Sequence, residues 1–369
     1  MTVRHCLRTL LVAAVAGAFV AGVGALPSQA AEKVRWRVAA GFPTRLPALG
    51  DTAPWVVRML NKSSDGDIQL NLYEPGRLVP AFQITEAVSD GEQVDAGYTW
   101  IGYDTARIPA APLLAGAPFG FEPWEYMAWW HHGGGQALAE EVYDAFDIHP
   151  ILCGIIGPDS AGWFRNEIAS LDDLNGLKIR FAGLGSKVLQ KLGASVTMLP
   201  VADIYRALEE GAIDASESSL PEVDQTLGLG QIVKNNYFPG WQQTFTAMHI
   251  LVNGKVWRET SDQDQAMITM GCMAGTTYGL SKSEANQGPV IADYKDAGVT
   301  PRQVPQPVLA ELYRVTQEVL EEEAAADKMF RTIWESQKAF HEDYALWKRQ
   351  GYLPRDFEDR VIEQDKPTR

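Results

Sequence analysis

The sequence predicts a two-lobed α/β protein that ends in a long helix, and three observations carry that prediction. Strand-like and helix-like patterns alternate over residues 34–102 and again over 150–218, the order that builds parallel sheets joined by right-handed crossovers. About 340 residues remain beyond the first thirty, more than one small core organises, so two lobes are expected. Past both stretches, apolar residues recur at helical spacing through two further segments, the second rich in aromatics.

VRWRVAAGF (34–42) alternates as a first strand does and ends at Phe42 and Pro43. A helix is expected from about Ala48 to Asn61, where Trp55, Val56, Met59 and Leu60 fall at helical spacing. IQLNLYEP (68–75) reads as a second strand, FQITEAVSDG (82–91) as a short helix stopped by glycine, and VDAGYTWIG (94–102) as a third strand. Residues 113–132, rich in Phe, Trp, Pro and Gly, read as a structured loop and then a helix. PILCGIIG (150–157) is almost continuously apolar, the pattern of a strand covered on both faces. The alternation then repeats through residue 218, and HILVNGKVW (249–257) reads as a strand returning between the lobes.

Pro305 and Pro307 precede a helix with Val308, Leu312, Val315 and Val319 on one stripe. Asp327 is placed to N-cap the next helix, which carries Phe330, Ile333, Trp334, Phe340, Tyr344 and Trp347. That aromatic face must be covered, either across both lobes or by a second subunit, and the sequence leaves both open. The expected organisation is a signal peptide at 1–30, lobe 1 at 31–150 and lobe 2 at 151–248. A returning strand and linking helices follow at 249–305, then C-terminal helices at 306–369 that could also join two subunits.

The signal peptide rests on Arg4 and Arg8 ahead of the apolar run LLVAAVAGAFVAGVGAL, with Ser28 and Ala30 as the small residues before a cut after Ala30. The run is short and diluted by Ala and Gly for a spanning helix. Cys6 leaves with it, no adjacent twin arginines are present, and ordinary export to the periplasm is expected. Removing Arg4 and Arg8 from the 32 Lys and Arg leaves 30 against 47 Asp and Glu, a charge near −17. Such a surface repels nucleic acid and anionic lipid, so neither is an expected partner. Cys153 and Cys272 remain; they either pair or stay as two buried thiols, and the sequence leaves both open.

The densest chemistry lies between Gly157 and Gln243. Arg180 closes the short strand LKIRF, Glu217 closes AIDASE, and an aromatic, glycine-bearing turn follows at Tyr237–Trp241. A cation and an anion at the ends of neighbouring strands make a cleft for a small acid. Nothing beside them would do chemistry on it. The adjacent His131 and His132 lack a third ligand at metal spacing, and His341-Glu342 lacks the second histidine of a zinc-protease helix, Ala345 standing there. A nucleophile elbow, a phosphate loop and a dinucleotide fingerprint are all missing from the sequence. No enzyme activity and no catalytic cofactor are expected.

The chain resembles the solute-binding proteins of tripartite ATP-independent periplasmic (TRAP) transporters, and most of all the subgroup that binds 2-oxo acids such as pyruvate. The resemblance spans the mature chain and is densest in WHHGGG (130–135), GWFRNEI (162–168), DDLNGLKIRFAG (172–183), SKVLQKLG (186–193), DIYRALEEGAIDASE (203–217) and YFPGW (237–241). It implies the two-lobed periplasmic-binding-protein fold, closing on a ligand that is handed to the membrane subunits of an ion-gradient-driven carrier. It also implies a homodimer formed through the C-terminal helix.

The resemblance makes Arg180 the clamp on the ligand carboxylate, since a guanidinium offers two parallel donors. It makes Glu217 a cation ligand, with Asp159 and Ser218 beside it; the alternative role for Glu217 is a salt bridge to Arg180 itself. Tyr103, chosen over Tyr98 and Trp100, presents a hydroxyl from the first lobe, and Trp241 and Gln242 line the cleft from the turn. Two positions depart from the family pattern: Asp159 replaces a glutamine and Ser218 a large aromatic. The added charge favours calcium over sodium as the bound cation, or else an ammonium group on a different ligand. The rival ligands are a hydroxy acid, a dicarboxylate, a sulfonate or an amino-acid-like molecule; more remote are a sensor-input module and a periplasmic enzyme.

Overall fold

A computed structural model describes residues 33–364; the expected signal peptide at 1–30 lies outside them. Among the described residues no helix is long and apolar enough to cross a membrane.

β1 (Val34–Ala40), β2 (Ile68–Tyr73) and β3 (Ala96–Thr99) run parallel in the order β2-β1-β3, with α1 (Thr52–Ser63) and α2 (Ile84–Asp90) as the crossovers. The helix α1 begins four residues later than its periodicity suggests. Ala48 takes a positive φ of 56° and gives its N–H to the Asp51 carboxylate at 3.0 Å, so residues just before α1 close a turn instead. Helices α3 (Pro123–His132) and α4 (Gly135–Asp144) lead into β4 (Ile148–Ile156), buried along nearly its whole length.

The second sheet collects β5 (Gly162–Phe164), β6 (Lys178–Arg180), β7 (Ser195–Thr197), β8 (Ala215–Ser216) and β9 (Asn235–Phe238). The helices α5 (Gly183–Lys191), α6 (Ile204–Glu209), α7 (Pro221–Leu227) and α8 (Leu229–Ile232) connect them. The chain then returns as β10 (Thr246–Asn253), which pairs antiparallel with both β3 and β4. The first sheet is thus β2-β1-β3-β10-β4. The strand β4 straddles the expected boundary at 150/151 and β10 the one at 248/249, and both lie whole in the first sheet. Apolar character alone does not show which sheet a buried strand joins; the ladder between β4 and β10 decides it here.

Helices α9 (Gly254–Glu259), α10 (Asp262–Ala285) and α11 (Gln287–Asp293) come next. β11 (Thr300–Gln303) then completes the second sheet as β11-β9-β5-β8-β6-β7. The helix α10 packs along β4 and α1, and a Cys153–Cys272 disulfide ties it to β4, which resolves that alternative in favour of pairing.

Two segments cross between the sheets, one after β4 and one before β10. They touch closely: the Asp159 N–H donates to the Gln243 carbonyl at 3.2 Å, and a Cβ added at Gly240 would meet the Asp159 carbonyl at 2.0 Å. Only glycine allows that approach.

The chain ends in α12 (Gln306–Ala326), α13 (Lys328–Gly351) and α14 (Phe357–Gln364). In α12, Val308, Leu312, Val315 and Val319 are buried, and Lys187 and Lys191 of α5 pair with its Glu323 and Glu322. The Asp327 carboxylate caps α13 by accepting from the Phe330 N–H at 2.6 Å. The first half of α13 packs on the first lobe: Gln337 donates to the Leu113 carbonyl at 2.7 Å and Trp129 to the Ser336 hydroxyl at 3.1 Å. The two helices therefore lie across both lobes. Coverage stops toward the end of α13, where Leu346 and Trp347 are 61% and 58% exposed.

Candidate functional site

Arg180 is the last residue of β6 and Glu217 follows the last residue of β8. The two strands are parallel neighbours, so both side chains emerge at the same carboxyl edge of the second sheet, where α/β proteins place their ligands. Tyr103 sits in the short turn after β3, at the carboxyl edge of the first sheet. Asp159 lies in the segment that crosses after β4. All four line one cavity.

The arrangement is tight. The Arg180 side chain is 1% and that of Glu217 3% exposed, and the two form an ion pair. Arg180 also donates through Nε to the Leu199 carbonyl at 3.0 Å and through Nη1 to the Glu217 carbonyl at 3.1 Å, which fixes the plane of its fork. The Ala182 N–H reaches the same Glu217 carboxylate at 3.3 Å. Burial nevertheless pushes the Glu217 carboxyl above its ordinary range, against the pull of Arg180. Burial also raises Asp159 well above its ordinary value, and the charges of Glu217 and Asp224 push the same way. Gln243 donates to the Thr246 hydroxyl at 2.8 Å, which donates to Asp159 Oδ2 at 3.4 Å. Asp159 Oδ1 has no partner.

Tyr103 stands edge-on to Trp100, with ring centroids 5.0 Å apart, and its hydroxyl is pushed up to about 12 by burial, the Arg180 charge opposing. Tyr98 instead lies in the first-lobe core, away from the cavity, and Trp100 joins Tyr103 on the wall. Of the residues expected at the site, Arg180, Tyr103, Asp159, Glu217 and Ser218 line the cavity.

Trp241 and Gln242 do not. Trp241 stacks on Phe181 at 5.7 Å and faces a separate apolar cavity beneath α12, while Gln242 donates to the Ser160 carbonyl at 2.7 Å. Further along the same stretch, Gln243 and Thr246 line the cavity instead. Sequence reasoning also missed Ser219, Leu49, Ala182 and Val201, which carry no spacing signal, although Ser219 adjoins a residue that was singled out. Among the described residues that line the cavity, Arg180 is the one basic side chain.

A family model described as bacterial extracellular solute-binding protein, family 7, matches residues 45–327. The chain belongs to that family. It is a solute-binding receptor and not an enzyme. A monocarboxylate 2-oxoacid-binding periplasmic protein of a Nostoc species is 31% identical over 320 residues, covering 87% of each chain. A TRAP transporter solute-binding protein from Bordetella bronchiseptica superposes with a TM-score of 0.85 at 30% identity, over 90% of this chain and 97% of its own. That structure is a mixed-occupancy dimer in which copurified calcium and picolinate occupy one active site and another is apo. A TRAP solute-binding protein from Pseudoalteromonas atlantica, with bound sodium and pyruvate, superposes with a TM-score of 0.83 at 30% identity, over 90% of this chain and 99% of its own. The two-lobed binding-protein fold and the TRAP resemblance both hold.

Proposed function

We propose that this receptor captures a small 2-oxo monocarboxylate such as pyruvate, together with a hard cation, in the periplasm and delivers it to the membrane subunits of a TRAP carrier. The observation that carries the reading is the meeting of Arg180, Glu217, Asp159 and Tyr103 around one buried cavity. Arg180 holds the carboxylate, and Tyr103 closes over it from the first lobe. The single basic side chain suits a monocarboxylate better than a dicarboxylate.

The oxygen-rich wall suits a hard cation. Asp159 Oδ1 and the Ser218 hydroxyl are buried without a partner, and Glu217 lies beside them. Among the described residues no three His, Cys, Asp or Glu side chains form a metal site alone, so Glu217, Asp159 and Ser218 would hold the ion with oxygens of the ligand completing its shell. One guanidinium faces two carboxylates before a monoanionic ligand arrives. A divalent ion balances that charge and a monovalent one does not, which favours calcium over sodium. The unpaired Asp159 oxygen supports one second reading, a ligand carrying an ammonium group in place of the ion.

Calorimetric titration of the chelator-stripped protein with pyruvate, with and without calcium, separates these. Calcium-dependent tight binding is expected, and Glu217→Gln should remove most of the dependence. Absence of heat in both conditions would overturn the ligand assignment. Export through the 1–30 signal peptide and a homodimer formed through the exposed end of α13 belong to the same reading. They are supported by the basic-then-apolar start of the chain and by the uncovered Leu346 and Trp347.

A further inference from the structure

We infer that Ser219 forms a hydroxyl-recognising end of the cavity, so that the ligand is a 2-oxo acid bearing a hydroxyl on C3. The inference rests on the 2-oxo acid reading above and narrows it. Ser219 lines the cavity and is only 2% exposed. Its hydroxyl has no hydrogen-bond partner, whereas that of Ser218 lies toward Asp224 and the cation position. Nearby hydroxyls differ in this respect. The Ser216 hydroxyl donates to the Glu217 carbonyl at 2.6 Å, and that of Ser160 donates to Asp224 at 3.4 Å.

The backbone that carries Ser219 is held on both sides. The Glu217 N–H donates to the Arg180 carbonyl at 3.1 Å, and the Ser160 N–H donates to the Ser219 carbonyl at 3.0 Å. The hydroxyl is thus placed in advance and does not have to be ordered by the ligand. It is both donor and acceptor, unlike the donor-only Arg180 and the acceptor-only carboxylates, so it matches a ligand hydroxyl rather than a second charge. Water can satisfy it in the empty cavity. A ligand with an apolar tail leaves it buried and unpaired, which is disfavoured, whereas a hydroxylated tail replaces the water.

The test compares two ligands of equal heavy-atom count, hydroxypyruvate and 2-oxobutyrate, with pyruvate as the common reference, by calorimetry in calcium. Wild-type protein should bind hydroxypyruvate at least tenfold more tightly than 2-oxobutyrate. Ser219→Ala should shrink that ratio toward one, while Ser219→Thr, which keeps the hydroxyl, should preserve most of it. Equal affinities in the wild type, or an unchanged ratio in Ser219→Ala, would overturn this proposal and leave the 2-oxo acid reading standing. Failure of all three acids to bind would overturn both.

Discussion

At the scale of single residues, Arg180 and Glu217, the proposed ligand and cation holders, form a buried ion pair that couples binding to stability. Arg180→Ala should abolish carboxylate binding. It should also destabilise the protein by roughly 3–5 kcal/mol, because it strands the Glu217 carboxylate away from water. The double variant Arg180→Ala/Glu217→Ala should recover much of that stability and none of the binding, as thermal unfolding and calorimetry would show. A single variant that melts like wild type would mean that the pair is not buried in solution. His249 supplies the pH prediction. It lies in β10 against Trp130, fully buried with neither ring nitrogen partnered, and burial lowers it from 6.5 to about 3. The unfolded chain therefore takes up the proton first, so stability is complete above 6.5 and is lost as the pH falls toward 3. Between pH 7 and pH 5 this amounts to about 2 kcal/mol. Denaturant titrations at the two pH values should show His249→Phe losing less stability than wild type by about that amount.

At the scale of elements, β4 and α10 form the spine of the first lobe, and the Cys153–Cys272 bond staples them. Replacing both cysteines with alanine should cost about 2–5 kcal/mol and lower the melting temperature. Ligand affinity should stay within a few-fold, because the staple lies outside the cavity wall. A large loss of affinity would instead show that β4 must be held for Asp159 to reach its place. The crossing turn is more sensitive: Gly240→Ala drives a methyl group into the Asp159 carbonyl and should impair binding at modest change in secondary structure. Several elements were legible from pattern alone. The alternation of β1, the glycine stop after α2, the stripe of α12 and the Asp327 cap all arise from neighbours in the chain, where local physics dominates. The start of α1 was less legible, because a turn closed by the Asp51 side chain competes with the helix for the same residues.

At the scale of the whole molecule, α12 lies on the second lobe and α13 on the first, so the helices join the two lobes. Closure on ligand and calcium should shrink the radius of gyration measured by small-angle scattering, and an unchanged radius with tight binding would place the closed form as the resting state. The uncovered end of α13 predicts self-association. Leu346→Glu with Trp347→Glu should convert a dimer to a monomer in light scattering without altering affinity; a monomeric wild type would remove the dimer from the reading.

The sequence by itself determined the alternation of the elements, the strand-terminal Arg180 and Glu217, the excess of acidic charge and the lack of catalytic apparatus. These are properties of short stretches or of composition, and no partner is needed to express them. Only the tertiary structure decided that β4 and β10 belong to the first sheet, that Cys153 meets Cys272, and that Gln243 and Thr246 rather than Trp241 and Gln242 line the cavity. The physical reason is common to all three. Which way a side chain points in a turn, and which neighbour a strand takes, is settled by contacts between residues far apart in the chain, such as Gly240 on Asp159, and those contacts exist only once both lobes have formed.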